Sequence, residues 1–201
     1  MKTEVCKLKG KGNDFSLVEK IVEKTAVYND LGKKQGLQLR LLSEELVGML
    51  PELLNRYSGE FWIENEGNNY EIHATVTSAV YNSEERNKVM SISSSGKNVA
   101  TVGFMGKVRG IVDAMLLSMA DADPMSVAPV MDAYYLDCPN DMLFSTWSLE
   151  RYRMELQQLN ETEKKEEYWD ELEKSIVANL ADDVIVGING REVDIVIKKK
   201  F

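Results

Sequence analysis

Residues 183–200, DVIVGINGREVDIVIKKK, carry the strongest hairpin signal in the sequence, because two alternating segments flank one short turn motif. Apolar side chains recur at every second position, at Val184, Val186 and Ile188 and again at Val193, Ile195 and Ile197. This alternation predicts half-buried strands, and Asn189-Gly190 between them is a strong signal for a two-residue hairpin turn. We therefore predict an antiparallel hairpin over this stretch.

A second hairpin is predicted upstream. FWIEN at 61–65 has strand character, residues 66–69 (EGNN) supply turn residues, and residues 70–77 (YEIHATVT) alternate apolar and polar side chains. The alternation places His73, the only histidine, on the polar face of its strand. A single histidine and two scattered cysteines, Cys6 and Cys138, do not make a zinc site, so no metal site is predicted.

Helical patterns surround the hairpins. Residues 15–31 predict a first helix that ends between Gly32 and Gly36, and a second begins near Leu37 with a kink or break near Pro51. Further helices are predicted over about 99–119 and 148–180, and a short strand over 3–8. This order predicts an α+β fold: a two-layer sandwich in one domain, residues 1–201, whose mostly antiparallel sheet is covered by helices on one face.

The charge and hydropathy of the chain limit the kinds of partner that we expect. The 201 residues carry a formal net charge of −9, so phosphate backbones and anionic lipid surfaces are repelled. No run is apolar enough to cross a bilayer, and the first residues lack the apolar core of a secretory signal. We expect a cytoplasmic protein that binds neither nucleic acid nor membrane.

Residues 93–107, SSSGKNVATVGFMGK, raise the question of a phosphate-binding loop. A Walker A loop needs a glycine where Thr101 stands and a hydroxyl where Val108 stands, so that motif is absent. The alternative from the residues alone is structural: serine and asparagine cap a helix, and the glycines allow close packing.

Taken together, the chain resembles the GHKL ATPases, the family of gyrase-type ATPases and histidine kinases, and within it the anti-sigma-factor serine kinases. The segments that carry the resemblance are LRLLSEELVGML at 39–50, the hairpin at 61–77, VGFMGKVRGIVDAM at 102–115 and the hairpin that begins GING at 187. The resemblance covers about 120 residues and makes residues 120–180 a helical insertion.

The resemblance implies roles for single residues. Glu45 matches the acid that polarises the attacking nucleophile, but the magnesium-binding asparagine four residues later is replaced by Met49, or by Gly48 if Glu44 is the acid. Ser78 stands where the family's adenine-reading aspartate would be. The retained part of the nucleotide site is the lid and the helix start, formed by Ser95, Gly96, Lys97, Asn98, Gly103, Gly106 and Lys107.

The expected function is a signalling or regulatory protein with a divergent ATP-binding fold. ATP or ADP would bind weakly or in an altered way, magnesium binding is doubtful, and ATPase or kinase activity is impaired or absent. The alternative is a nucleotide-free protein–protein interaction module on the same fold. A protein partner is expected in either case, and the sequence leaves open whether the chain self-associates.

Overall fold

The computed structural model describes residues 1–10, 15–54, 57–78, 108, 112, 146–158, 163–189 and 191–201. These residues form one six-stranded sheet with helices on one of its faces. The strands are β1 (Cys6–Lys9), β2 (Tyr57–Glu66), β3 (Asn69–Ser78), β4 (Thr146–Ser148), β5 (Asp183–Asn189) and β6 (Glu192–Lys200). The helices are α1 (Phe15–Tyr28), α2 (Lys33–Leu53), α3 (Leu149–Gln158), α4 (Glu163–Glu173) and α5 (Ile176–Leu180).

The sheet has the strand order β1-β2-β3-β6-β5-β4, and every described pair is antiparallel. The two predicted hairpins, β2-β3 and β5-β6, therefore meet at its centre, where Ile72 of β3 pairs with Ile197 of β6. Both central strands alternate buried and half-buried residues, as expected when one face is packed and the other is open. The predicted α+β two-layer architecture is confirmed.

The helices pack on the face of the sheet that carries the buried residues of the strands. α2 contacts β3 and β6, α1 contacts α2 and β2, and α5 contacts α2. The apolar stripe of α2, which includes Leu39, Leu42, Leu46 and Leu50, is fully buried against the sheet. The predicted helix over 99–119 falls almost wholly outside the described residues, but Val108 and Val112 are helical and buried, one turn apart.

Both hairpins turn within two residues. Gly67 lies at φ +56° in the first turn, where glycine is favoured over residues with a side chain. In the second hairpin Asn189 pairs with Glu192, so the strand ladder extends through Asn189. The predicted turn at Asn189-Gly190 is therefore wrong by one residue, because Asn189 extends the ladder instead of turning.

The helix boundaries also differ from the prediction. α1 ends at Tyr28, and α2 begins at Lys33, so Gly36 lies inside α2. Gly32 is the N-cap of α2, and its backbone N–H donates to the Gln35 side chain at 2.9 Å. Pro51 lies within the last turn of α2, which ends two residues later at Leu53, close to the break predicted near Pro51.

Residues 146–158 and 163–180 add to the same sheet and core. β4, which the sequence analysis missed, pairs with β5 at one edge of the sheet. Trp147 and Tyr152 are buried with ring centroids 6.1 Å apart, and Leu149 and Leu156 are fully buried. The charged segment is thus held to the domain by its apolar side. Whether it is an insertion relative to the GHKL ATPases stays a prediction.

Candidate functional site

The two neighbouring acids of α2 lie on different flanks of the helix. Successive residues of a helix are about 100° apart, so Glu44 and Glu45 diverge around the buried stripe. Glu44 accepts a hydrogen bond from Arg40 at 2.7 Å, and Arg40 also contacts Glu19 of α1. Glu44 therefore belongs to a structural ion-pair network on the side of α2 that faces α1.

Glu45 is half-buried and makes no hydrogen bond or ion pair with any residue that the structure describes. Of the two alternative acids, Glu45 is therefore the one that no described residue engages. The match of Glu45 to the acid of the GHKL ATPases stays a prediction.

The position one turn after Glu45 is apolar and packed. Met49 is 4 % exposed and belongs to the main core. In the alternative register the position is Gly48, where a Cβ atom would point into open space with nothing within 4 Å. Magnesium binds hard oxygen ligands, and neither residue supplies one. The residues of α2 therefore do not fit a magnesium ion at this place.

The other predicted site residues are described only in part. Ser78 is the last residue of β3, where its backbone pairs with that of Tyr57, and β3 packs against α2. The remaining predicted lid and helix-start residues lie outside the described part of the chain: Ser95, Gly96, Lys97, Asn98, Gly103, Gly106 and Lys107. The structure thus places Glu45 and Ser78 on adjoining elements and says nothing about the loop.

Comparison of the chain with protein-family models, with curated proteins and with solved structures gave no match. The described residues define an α+β protein with a six-stranded antiparallel sheet, in which Glu45 of α2 is a half-buried carboxylate that no described residue engages. In the described ranges, no three His, Cys, Asp or Glu side chains cluster as a metal site requires. No helix within those ranges is both long and apolar enough to span a bilayer.

The open face of the sheet carries an aromatic stack that the sequence analysis did not predict. Trp62 of β2 and His73 of β3 are cross-strand partners, and their rings lie 4.8 Å apart and nearly parallel, at 4°. The Lys2 ammonium lies 4.3 Å from the centre of the Trp62 ring. Glu64 holds this stack in place, because it accepts from the Trp62 indole at 2.7 Å and pairs with Lys2 at 3.0 Å.

Burial disfavours a charge on His73. Its Nε2 atom is buried without a hydrogen bond, and the nearest carboxylate oxygen, on Glu71, is 3.4 Å away. Burial lowers the pKa of His73 below its usual value, although Glu64 and Glu71 partly oppose this effect. The neutral imidazole is therefore the form that fits the folded protein.

The lowered pKa of His73 should make the stability of the protein depend on pH. The unfolded chain binds a proton at His73 more readily than the folded chain, so the free energy of unfolding should fall as the pH decreases through about 6.5. Urea unfolding of the wild type and of His73→Gln at pH 7.5 and 5.5 measures the effect. We expect the wild type to lose more stability than the variant between these two conditions.

The comparison with His73→Gln removes the contributions of other groups. Burial raises the pKa of Glu155, which acts in the opposite direction as the pH falls, and this effect is common to both proteins. Equal losses of stability in the two proteins would contradict the description of His73 as a histidine held neutral by burial.

Proposed function

We propose that this protein is a cytoplasmic regulatory protein that acts by binding another protein, on a fold that resembles the GHKL ATPases. In this proposal ATP or ADP binds weakly or not at all, and magnesium-dependent ATP hydrolysis is absent. The single observation that supports it most is the burial of Met49, at 4 % exposure, where a magnesium ligand would be needed.

The argument rests on the chemistry of α2. Magnesium bound to triphosphate neutralises the charge that develops during phosphoryl transfer, so a site that cannot hold the ion loses most of its catalytic power. Glu45 alone could still orient a nucleophile, but it would have no metal-bound phosphate to act upon. A core methionine beside it favours a helix that serves packing and contacts over one that serves hydrolysis.

Two further features support a role in binding and a location in the cytoplasm. Two large apolar side chains next to each other at the end of α1, Val27 and Tyr28, are 78 % and 76 % exposed, as is common at protein-binding surfaces. Cys6 is a buried free thiol, which suits a reducing compartment. The net charge of −9 argues against nucleic acid and anionic membranes as partners.

Phosphate release from ATP in the presence of magnesium tests the catalytic half of the proposal. We expect the wild type to release no phosphate above the rate in buffer, and Glu45→Ala and Lys107→Ala to behave identically. Release by the wild type that Glu45→Ala abolishes would overturn the proposal, because it would show a working acid and therefore a working metal site. Gln38→Ala, on the same helix, is the matched control.

A further inference from the structure

The helices α1 and α2 form an antiparallel helical hairpin. Residues 29–32 join them, and they pack closely where a Cβ atom on Gly36 would lie 3.5 Å from the Cβ of Ala26. Farther from the connection, Arg40 of α2 contacts Glu19 of α1, so residue numbers rise along one helix as they fall along the other. Each position on α1 therefore lies level with a definite position on α2.

Three large apolar side chains are exposed at the level of this close contact. Val27 and Leu37 directly follow Ala26 and Gly36 in the sequence, and they are 78 % and 56 % exposed. Tyr28, the last residue of α1, is 76 % exposed. We call Val27, Tyr28 and Leu37 the apolar patch. Clustered exposed apolar side chains are typical of surfaces that bind another protein.

Opposite charges lie on the two sides of the apolar patch. Glu23 is one turn before Val27 on α1, and Lys33 is one turn before Leu37 on α2. Because the helices run in opposite directions, Lys33 lies at the tip of the hairpin and Glu23 lies on the side away from the tip. Both side chains are exposed, and neither pairs with any residue that the structure describes.

A second copy of the same hairpin is complementary to this arrangement. In a two-fold dimer the contacts are mutual, so the same pair of residues meets twice across the interface. Turning a copy end over end about the apolar patch places Glu23 of each chain level with Lys33 of the other, while the two patches touch. Lys20, an exposed lysine about two turns before Val27, then lies beyond the tip of the opposite hairpin and meets neither residue.

We propose that the apolar patch is the interface of a homodimer, in which the α1–α2 hairpins of two copies pack in opposite directions and Glu23 of each pairs with Lys33 of the other. The net charge of −9 opposes contact between two copies elsewhere on the surface. Beside the patch the charges cancel, because two acids and two lysines lie there: Glu23, Asp30, Lys33 and Lys34. This inference rests on the proposed function, because it names the protein that the exposed end of α1 binds.

Sedimentation equilibrium of the full chain between about 10 and 300 µM tests the inference, because small interfaces associate weakly. We expect the average mass to rise with concentration from that of one chain towards that of two. Val27→Gln removes apolar contact at an exposed helical position, and it should weaken dimerisation about tenfold or more. Circular dichroism confirms that each variant is folded.

Charge reversal tests the pairing across the interface. Glu23→Lys and Lys33→Glu each set like charges against each other in their own homodimers, so each variant should dimerise about tenfold more weakly than the wild type. Mixed in equal amounts, the two variants should form a heterodimer about as stable as the wild-type dimer, because both opposite-charge pairs are restored. Lys20→Glu changes the net charge by the same amount as Lys33→Glu, and this control should leave dimerisation nearly unchanged.

Three results would overturn the inference: a monomer throughout this concentration range, equal effects of Lys33→Glu and Lys20→Glu, or two charge-reversed variants that do not associate when mixed. A dimer that Val27→Gln leaves intact would also overturn it, because another surface would then form the interface. None of these results bears on ATP hydrolysis or on the binding of a different protein, so the failure of this inference is distinct from the failure of the proposed function.

Discussion

Replacing Gly59 by alanine is expected to lower the free energy of unfolding by about 3 kcal/mol, because a side chain there collides with the neighbouring strand. A Cβ atom on residue 59 of β2 would lie 2.2 Å from the carbonyl oxygen of Thr75 and 2.8 Å from the Cα of Val76. Both atoms belong to the backbone of β3, which cannot turn aside as a flexible side chain can. The collision can be relieved only if β2 and β3 separate locally.

Thermal or urea unfolding measures this effect, and a loss of about 3 kcal/mol corresponds to a fall in Tm of about 9 °C in a protein of this size. The matched control is Gly48→Ala. Gly48 lies exposed within α2 with nothing within 4 Å of its Cβ position, so alanine there should raise stability by about 0.5–1 kcal/mol. A neutral Gly59→Ala would contradict the close approach of β2 and β3.

Replacing Met49 by asparagine, the residue that the resemblance to the GHKL ATPases would place here, is expected to destabilise the protein by about 3 kcal/mol. Met49 is 4 % exposed within the core, so the substitution removes apolar contacts and buries an amide that lacks partners. Met49→Leu keeps the volume and the apolar character, and should cost less than about 1.5 kcal/mol.

The same variant separates two descriptions of α2. If Met49 is a core residue, Met49→Asn remains equally unstable with and without magnesium and ATP. If the position instead borders a nucleotide, asparagine supplies the oxygen ligand that magnesium requires, and magnesium with ATP should raise the Tm of the variant. Urea unfolding of both variants, each with and without magnesium-ATP, decides between the two.

Much of the fold could be predicted because its strands alternate with period two. Val184, Val186 and Ile188 repeat with the same period as the pleat, so their burial follows from the pattern. Three-residue β4 could not be found in this way, since Thr146–Ser148 is too short to show a period. The second turn was misplaced by one residue because Asn189 is suited both to a turn and to the end of a strand.

The candidate site was less predictable, because the role of each residue depends on the side of the helix on which it lies. Sequence alone left Glu44 and Glu45 as alternatives, and only the contact of Arg40 with both Glu44 and Glu19 assigns Glu44 to a structural network. The exposed apolar pair at the end of α1 did carry a signal in the sequence. Val27 and Tyr28 fall outside the buried positions of α1, so they were apolar residues without a place in its core-facing stripe.

Thermal unfolding with and without ATP and ADP, each with and without magnesium, tests the central claim most directly. A nucleotide present at about 100 times its Kd would stabilise the protein by about 2.7 kcal/mol, or roughly 5–10 °C in Tm. Our account predicts that millimolar magnesium-ATP leaves the Tm of the wild type unchanged, since Met49 is packed in the core where a metal ligand would be needed. A magnesium-dependent rise of several degrees would contradict it and make this protein a working nucleotide-binding module.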